Sequence, residues 1–368
     1  MYITKEHLKP GMELAEDLVL YDQNVSTVLL VKGQKLNTHY INKILFHDIP
    51  GAYILNEAFD DLIFQPGINN KLESKALHQL RNVYTEIEEN DTITAKSIDK
   101  FSEIVDELIS EISIKRELNN NIMEFRNHDE YTYQHCLSVT NLAITTGIAM
   151  GLTKKELHDI GMAGFLHDIG KTLIPADIIN KPGKLTYEEF ELMKTHPLVA
   201  VSMLENLVSN EILDAIQCHH EKIDGTGYPY CIPGDNIPMY GKLLAVCDVY
   251  HALTSDRSYR KTCFPNEVME YLMGNADTHF DYEILKVFLK NVVAFPVGTF
   301  VMLSDGSIAV VVKNNIENNM RPIVRLINPD NTVGEDIDLL NNYKYMNVTI
   351  VDSGYDCREI DFGMIKLA

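Results

Sequence analysis

Between residues 167 and 248 the chain places His167, Asp168, His196, His219, His220 and Asp248, with Lys171 among them. Imidazole nitrogens and carboxylate oxygens are the ligands that borderline and hard divalent metals select. So many in one stretch point to a multinuclear metal centre that activates water. An isolated His-Asp pair carries little weight, and any one of these histidines is as readily a hydrogen-bonded core residue. The consecutive pair His219-His220 carries more. Neighbours on a helix point about 100° apart, so both ligate only if helices enclose them, and burying them without partners is costly. His135 adds a further donor from an apolar helical stretch. Lys171 follows His167 by four residues, one turn on if the helix persists or on the bend at Gly170 if it does not. Its ammonium could hold a non-bridging phosphate oxygen. Arg257 and Arg260 suit a second phosphate, with surface solvation as the plain alternative. In Asp224-Gly225-Thr226-Gly227-Tyr228-Pro229 the glycines allow positive φ and Pro229 stiffens the exit. Asp224 could anchor this loop or orient a histidine.

The elements that must position these residues are mostly helical. Apolar spacing predicts helices over 132–150, 154–166, 187–193, 200–207, 211–220, 242–254, 265–274 and 281–291. Thr186 reads as an N-cap, with Glu188 and Glu189 in the first turn after it. A long helix from Thr94 to about Leu118 carries Ile98, Phe101, Val105, Leu108 and Ile112 on one stripe. Residues 63–80 read as a polar connector with a Pro-Gly break. Residues 1–60 read as a small module: strands 18–21 and 26–31 around a polar turn, a helix over 36–46 and a strand at Gly51–Leu55. After Pro296 the pattern becomes β, with a hairpin turn at Asp305-Gly306 and strands at 321–327 and 347–351.

The 368 residues predict two or three domains. Lys and Arg total 32 against 53 Asp and Glu, a net charge of -21, which argues against binding to DNA, RNA or anionic membranes. A small anionic substrate is still allowed, because metal ions invert the local field. The six cysteines form no CxxC pair, and Cys136, Cys218 and Cys247 sit in apolar helical patterns as free thiols. The opening residues lack the layout of a signal peptide, and no apolar run reaches the roughly 18 residues of a spanning helix. The expectation is a cytoplasmic protein.

Five ordered motifs carry a resemblance: YTYQH (131–135), HDIGK (167–171), KPGKLTYEEFELMKTH (181–196), HHEKIDGTGYP (219–229) and DVYHALTSDRSYR (248–260). Together they resemble the HD-GYP family of metal-dependent phosphohydrolases over about residues 120–290. LKPGMELAEDL (8–18) is similar to a module often found before that domain. The resemblance implies a mainly α fold: a central all-helical HD-type bundle with a small N-terminal α/β module and a small C-terminal β module. The corresponding divisions are 1–65, a connector and linking helix over 66–120, a catalytic domain over 121–291 and a module over 292–368.

The resemblance further implies hydrolysis of cyclic di-GMP to pGpG, and on to GMP, by a metal-bridging hydroxide. Two divalent ions are expected, iron foremost and manganese as a substitute. His135, His167, Asp168 and Asp248 would hold one metal and His196, His219 and His220 the other, with Asp168 bridging. Lys171 would contact the scissile phosphate, and Arg257 and Arg260 the second phosphate or a guanine. Three residues depart from the family pattern. Tyr131 stands where three-metal members carry an acid, with Asp129 and Glu130 off the turn, which favours two metals over three. His251 replaces a frequent aspartate three residues after Asp248, where it could ligate, hydrogen-bond a ligand or pack. Ala200 replaces a usual glycine. The alternatives are a cyclic-dinucleotide-binding signalling adaptor with little turnover, and a hydrolase of another cyclic dinucleotide such as cyclic GMP-AMP; on either reading the chain could form a homodimer or meet a signalling partner protein.

Overall fold

The computed structural model describes residues 2–353 except 23–24, 48, 50, 57–58, 60, 63–67, 118–130 and 256–264. Its first elements are short: β1 (Tyr2–Thr4), β2 (Glu13–Leu14), β3 (Leu18–Asp22), β4 (Val25–Leu30), α1 (Thr38–Phe46) and β5 (Gly51–Leu55). Strand β5 lies between β1 and β2, antiparallel to both, and β3 pairs with β4 in a separate ribbon. Strands β1 and β2 were not expected, because two or three residues give no alternation to read.

The expected polar connector over 63–80 is helical from Asn70. Helix α2 (Asn70–Asn90) starts where the Asn69 side chain accepts the Leu72 N–H and ends at Asp91, in the left-handed region with φ 54°. Leu72, Ala76, Leu80, Val83 and Ile87 recur every three or four residues and are buried. Burying each such leucine or valine contributes roughly 1.5–3 kcal/mol, enough to hold a helix whose other faces are charged. Helix α3 (Ala95–Glu117) follows, close to its expected span.

Among the described residues nine further helices build the centre: α4 (Tyr131–Met150), α5 (Lys154–Leu166), α6 (Ala176–Ile179), α7 (Tyr187–Met193), α8 (His196–Leu204), α9 (Asn210–Cys218), α10 (Met239–Thr254), α11 (Pro265–Gly274) and α12 (Tyr282–Asn291). Reciprocal Thr153/Glu156 and Thr186/Glu189 capping boxes start α5 and α7. Helix α10 is buried on all sides, which marks it as central. Helices α2 to α5 and α8 to α12 share one hydrophobic core, within which Phe101 of α3 stacks on Phe165 of α5 with ring centroids 5.3 Å apart.

The C-terminal sheet has the order β10-β6-β7-β8-β9, from β6 (Phe300–Leu303), β7 (Ile308–Lys313), β8 (Ile323–Ile327), β9 (Val333–Asp338) and β10 (Ile350–Ser353). The β6-β7 turn is the one Asp305-Gly306 predicted. Strand β9 escaped the sequence because Val333 and Ile337 are its only buried apolar residues, set among Glu335, Asp336 and Asp338. Acidic residues suit its place at the sheet edge. One face of this sheet joins the helical core, while Phe300, Val310 and Val333 pack with the N-terminal module. Arg325 grips Asp61 through two bonds of 2.8 and 2.7 Å and also reaches Asp336 at 2.6 Å. The two chain ends are thus joined. No helix of the described residues is long and apolar enough to cross a membrane.

Candidate metal centre

Helix ends aim most of the candidate ligands. Helix α5 stops at Leu166, so His167 caps it and Asp168 leads into a 3₁₀ turn over Ile169–Leu173. Helix α9 stops at Cys218, two residues earlier than expected, so His219 is its cap and His220 lies beyond it. That break lets both rings face one centre, with centroids 3.9 Å apart. His196 opens α8 just after α7 ends, and Gly170 makes the approach possible. A Cβ on Gly170 would lie 2.0 Å from the His196 carbonyl oxygen.

The side chains gather into two groups whose donor atoms each lie within 4.8 Å: His135, His167 and Asp168, and His196, His219 and His220. Asp168 reaches both. Its Oδ2 lies 3.6 Å from His135 Nε2 and 3.5 Å from His167 Nε2, and its Oδ1 lies 3.5 Å from His196 Nε2. Asp248, on α10, spans the groups too, 3.1 Å from His135 and 3.8 Å from His220. These are two clustered sets of His and Asp donors of the kind a two-metal HD-type site uses.

The donors suit metals chemically as well. His167, His196 and His219 each give their Nδ1 proton to a carbonyl three residues back, those of Gly164, Met193 and Ile216, at 2.8, 2.7 and 2.6 Å. These carbonyls sit in final helical turns, where no helical N–H remains for them. With Nδ1 donating, each Nε2 presents a lone pair. Burial pushes the pKa of His196 down to about 4 and that of His219 to about 3, so both rings are neutral near pH 7. Burial opposes ionisation of Asp168, yet Lys171, His167, His196 and His135 together outweigh it and hold the carboxyl well below the usual range. Asp168 Oδ1 is buried without a hydrogen bond, a costly state that a cation would relieve. The residues present therefore fit divalent ions.

Lys171 lies in the 3₁₀ turn and bonds Asp168 Oδ2 at 2.6 Å. Its side chain is 29 % exposed, so it lies toward the open side of the cluster. His251 is buried, its Nδ1 2.9 Å from Nδ1 of His135. Tyr131 is the first residue of α4, one turn before His135. Arg257 and Arg260, with Asp129 and Glu130, lie outside the described residues.

The glycine-containing loop packs over the second group. Tyr228 lies on His220, with ring centroids 4.6 Å apart. Gly225 has the expected positive φ, 76°, while Asp224 accepts bonds from the Thr226 N–H and hydroxyl. Gly227 is needed for a different reason than positive φ. A Cβ there would lie 2.4 Å from Lys222 N, so its role is close approach. Pro229 follows a cis bond from Tyr228. Sequence reasoning missed Glu221, whose buried carboxylate accepts the Tyr230 and Ile232 N–H groups at 2.7 and 3.2 Å. It closes the loop back onto the histidine pair. The available signal was an acid directly after His219-His220.

Known proteins resemble this chain. Residues 116–284 match the HD domain family. The chain is 37 % identical over 227 residues to the cyclic di-GMP phosphodiesterase PA4108 of Pseudomonas aeruginosa, covering 61 % of this chain and 55 % of that one. It is 30 % identical over 227 residues to a cyclic di-GMP phosphodiesterase of Thermotoga maritima, covering 61 % and 60 %. It is also 37 % identical over 147 residues to the 3'3'-cGAMP-specific phosphodiesterase 2 of Vibrio cholerae, covering 38 % and 28 %. The chain thus spans little more than half the length of the first two relatives. The solved structure of Bd1817, an HDG"Y"P protein from Bdellovibrio bacteriovorus, shares the fold with a TM-score of 0.53 at 15 % identity, over 78 % of this chain and 97 % of that one. The helical centre of this chain is an HD domain of the HD-GYP/HD-superfamily phosphohydrolase type, related to cyclic di-GMP phosphodiesterases.

Proposed function

We propose that the chain is a metal-dependent phosphodiesterase that hydrolyses cyclic di-GMP to the linear dinucleotide, with iron foremost and manganese as a substitute. The observation that carries this is Asp168: one buried carboxylate reaches both histidine groups, keeps one oxygen without a hydrogen bond and touches Lys171. His135, His167, Asp168 and Asp248 would hold one ion and His196, His219 and His220 the other. Bound there, the ions supply Lewis acidity to a phosphate oxygen and to water.

The chain's own groups do the rest. Lys171 swings from Asp168 to a non-bridging phosphate oxygen and offsets the charge that grows there. Asp168 holds the two histidine groups in one arrangement. The loop over 224–232 walls the second group and keeps water from His220 on one side. Hydrolysis adds one water across the phosphodiester: a new P–O bond forms, the P–O3′ bond breaks and the 3′ oxygen leaves with a proton. The complete donor set and the partly exposed ammonium of Lys171 count against an adaptor without turnover.

A second reading, hydrolysis of 3'3'-cyclic GMP-AMP, is favoured by the 37 % identity to the Vibrio cholerae enzyme. Chromatography of metal-loaded protein with cyclic di-GMP, cyclic GMP-AMP and cyclic di-AMP separates the readings. Fastest conversion of cyclic di-GMP is expected. Faster conversion of cyclic GMP-AMP would move the assignment to it, and none of any would leave only the adaptor.

A further inference from the structure

The motif over 181–196 gives the metal centre His196, but its helix α7 (Tyr187–Met193) lies outside the set of donors. Polar contacts hold this helix. The Thr186/Glu189 capping box fixes its first turn, and Lys181 bonds both Glu189 oxygens at 2.7 and 2.6 Å. None of its seven residues is buried, so its aromatic side chains do not serve the core. Phe190 is 43 % exposed. A single exposed aromatic is common on protein surfaces, and what sets Phe190 apart is its place. A ladder of rings joins it to the metal centre. Tyr228 lies 4.6 Å from His220 between centroids, and Phe190 meets Tyr228 at 6.3 Å, nearly edge-on at 78°. The Lys194 ammonium, bonded to Glu191 at 2.6 Å, stands 4.8 Å from the Phe190 centroid. It covers one face of the ring, and the exposure of the residue leaves room for a flat group against the rest.

We infer that Phe190 is the stacking platform for one nucleobase of the cyclic dinucleotide whose phosphate is held at the metal centre. The inference rests on the function proposed above. A cyclic dinucleotide is a compact dianion from which two flat bases project. With one phosphate at Lys171 and the histidine groups, a base that projects past Tyr228 meets Phe190. Every base has a π-face, so an aromatic ring holds it without reading its edge. The chain's net charge of -21 gives an anion no long-range attraction, so contacts to the bases have to supply part of the binding. Phe190 thus sets affinity for a base-bearing ligand and takes no part in bond cleavage.

The test uses the full chain loaded with Mn²⁺, with metal content and circular dichroism checked for each variant. It compares the wild type with Phe190→Ala, Phe190→Leu and Phe190→Trp in steady-state hydrolysis of cyclic di-GMP. Truncating a stacked aromatic to alanine weakens base binding roughly 5- to 150-fold, and KM of Phe190→Ala is expected to rise in that range. Its kcat is expected to change little, as for a contact made equally in ground and transition states. Phe190→Leu keeps an apolar side chain against Tyr228 but no ring, and is expected to show most of the same rise. Phe190→Trp is expected to stay near wild type. A direct readout is a cyclic dinucleotide with 2-aminopurine in place of one guanine, followed by rapid mixing. Its fluorescence is expected to be quenched by wild type and Phe190→Trp, and much less by Phe190→Ala. Wild-type KM and quenching in a folded, metal-loaded Phe190→Ala overturn the inference. Where Phe190→Ala loses metal or fold, Phe190→Leu against Phe190→Trp decides, and equal KM in those two overturns it. A wild type that neither hydrolyses cyclic di-GMP nor quenches the probe overturns the proposed function and this inference together. Hydrolysis by wild type with an unchanged KM in Phe190→Ala removes this inference alone.

Discussion

In the group His135, His167 and Asp168 a carboxylate stands among imidazoles and all three side chains are buried; in the group His196, His219 and His220 every donor is an imidazole and His220 is 21 % exposed. The first group brings its own negative charge to a cation. The second relies on oxygens lent by Asp168 and Asp248, which also face the first. The supports differ as well. Both His196 and His219 lean on backbone carbonyls, whereas His135 leans on a side chain from α10. Two neighbouring sites can thus share ligand types and still differ in charge, access and the element that holds them.

The largest expected effect falls on the residue the groups share. Asp168→Ala should abolish turnover and leave less than a full metal complement by elemental analysis. Wild-type rate and metal content in that variant would break the comparison at its root. Lys171→Ala should keep the metals, because an ammonium is not a ligand, and lower the rate roughly 10²-fold, the cost of a lost transition-state donor. Loss of metal in this variant would instead make Lys171 a support of the site.

A gentler probe separates the groups. Stepwise chelation should remove one ion before the other, and the first should come from the all-imidazole group at the open side. His219→Ala should then abolish the easily lost ion and keep the other, and simultaneous loss of both ions at every chelator concentration would erase the distinction. The smallest effect concerns acid. In metal-free protein His196 and His219 titrate near 4 and 3 when folded, lowered by burial, against an ordinary value of about 6.5. As pH falls below about 6.5 the unfolded chain binds protons that the folded chain does not. Stability should therefore decline by roughly 1.4 kcal/mol per pH unit for each such histidine. The loss continues down to the folded values near 4 and 3. Asp168, with its pKa depressed, adds a loss of the same sign at still lower pH. Urea midpoints at pH 7 and pH 5 check this, and equal midpoints would contradict it.

Much of this was legible in the residues themselves. The helices carrying the candidate ligands repeat apolar residues at helical spacing, and ordered motifs put His167, Asp168, His196, His219, His220 and Asp248 in one segment. Helix α2 was hidden because its charged faces dilute a stripe as narrow as Leu72, Ala76, Leu80, Val83 and Ile87. The need for glycine at 170 and 227 comes from backbones meeting across the fold, which local sequence does not encode. His251 meets His135 from another helix, 116 residues away, so spacing put His251 near Asp248 but could not select among ligation, hydrogen bonding and packing. Glu221 passed unnoticed because an acid at a loop entrance is ordinary until the loop's N–H groups are seen to converge on it.

We propose that two metal ions, held by the two histidine groups that Asp168 reaches, would make this HD domain a cyclic dinucleotide phosphodiesterase. The direct test is to count metal per chain while following cyclic di-GMP hydrolysis as metal-free protein is reloaded. Turnover should appear as the second ion binds and return to zero on chelation. Full turnover in metal-free protein, or saturation at a single ion, would contradict it.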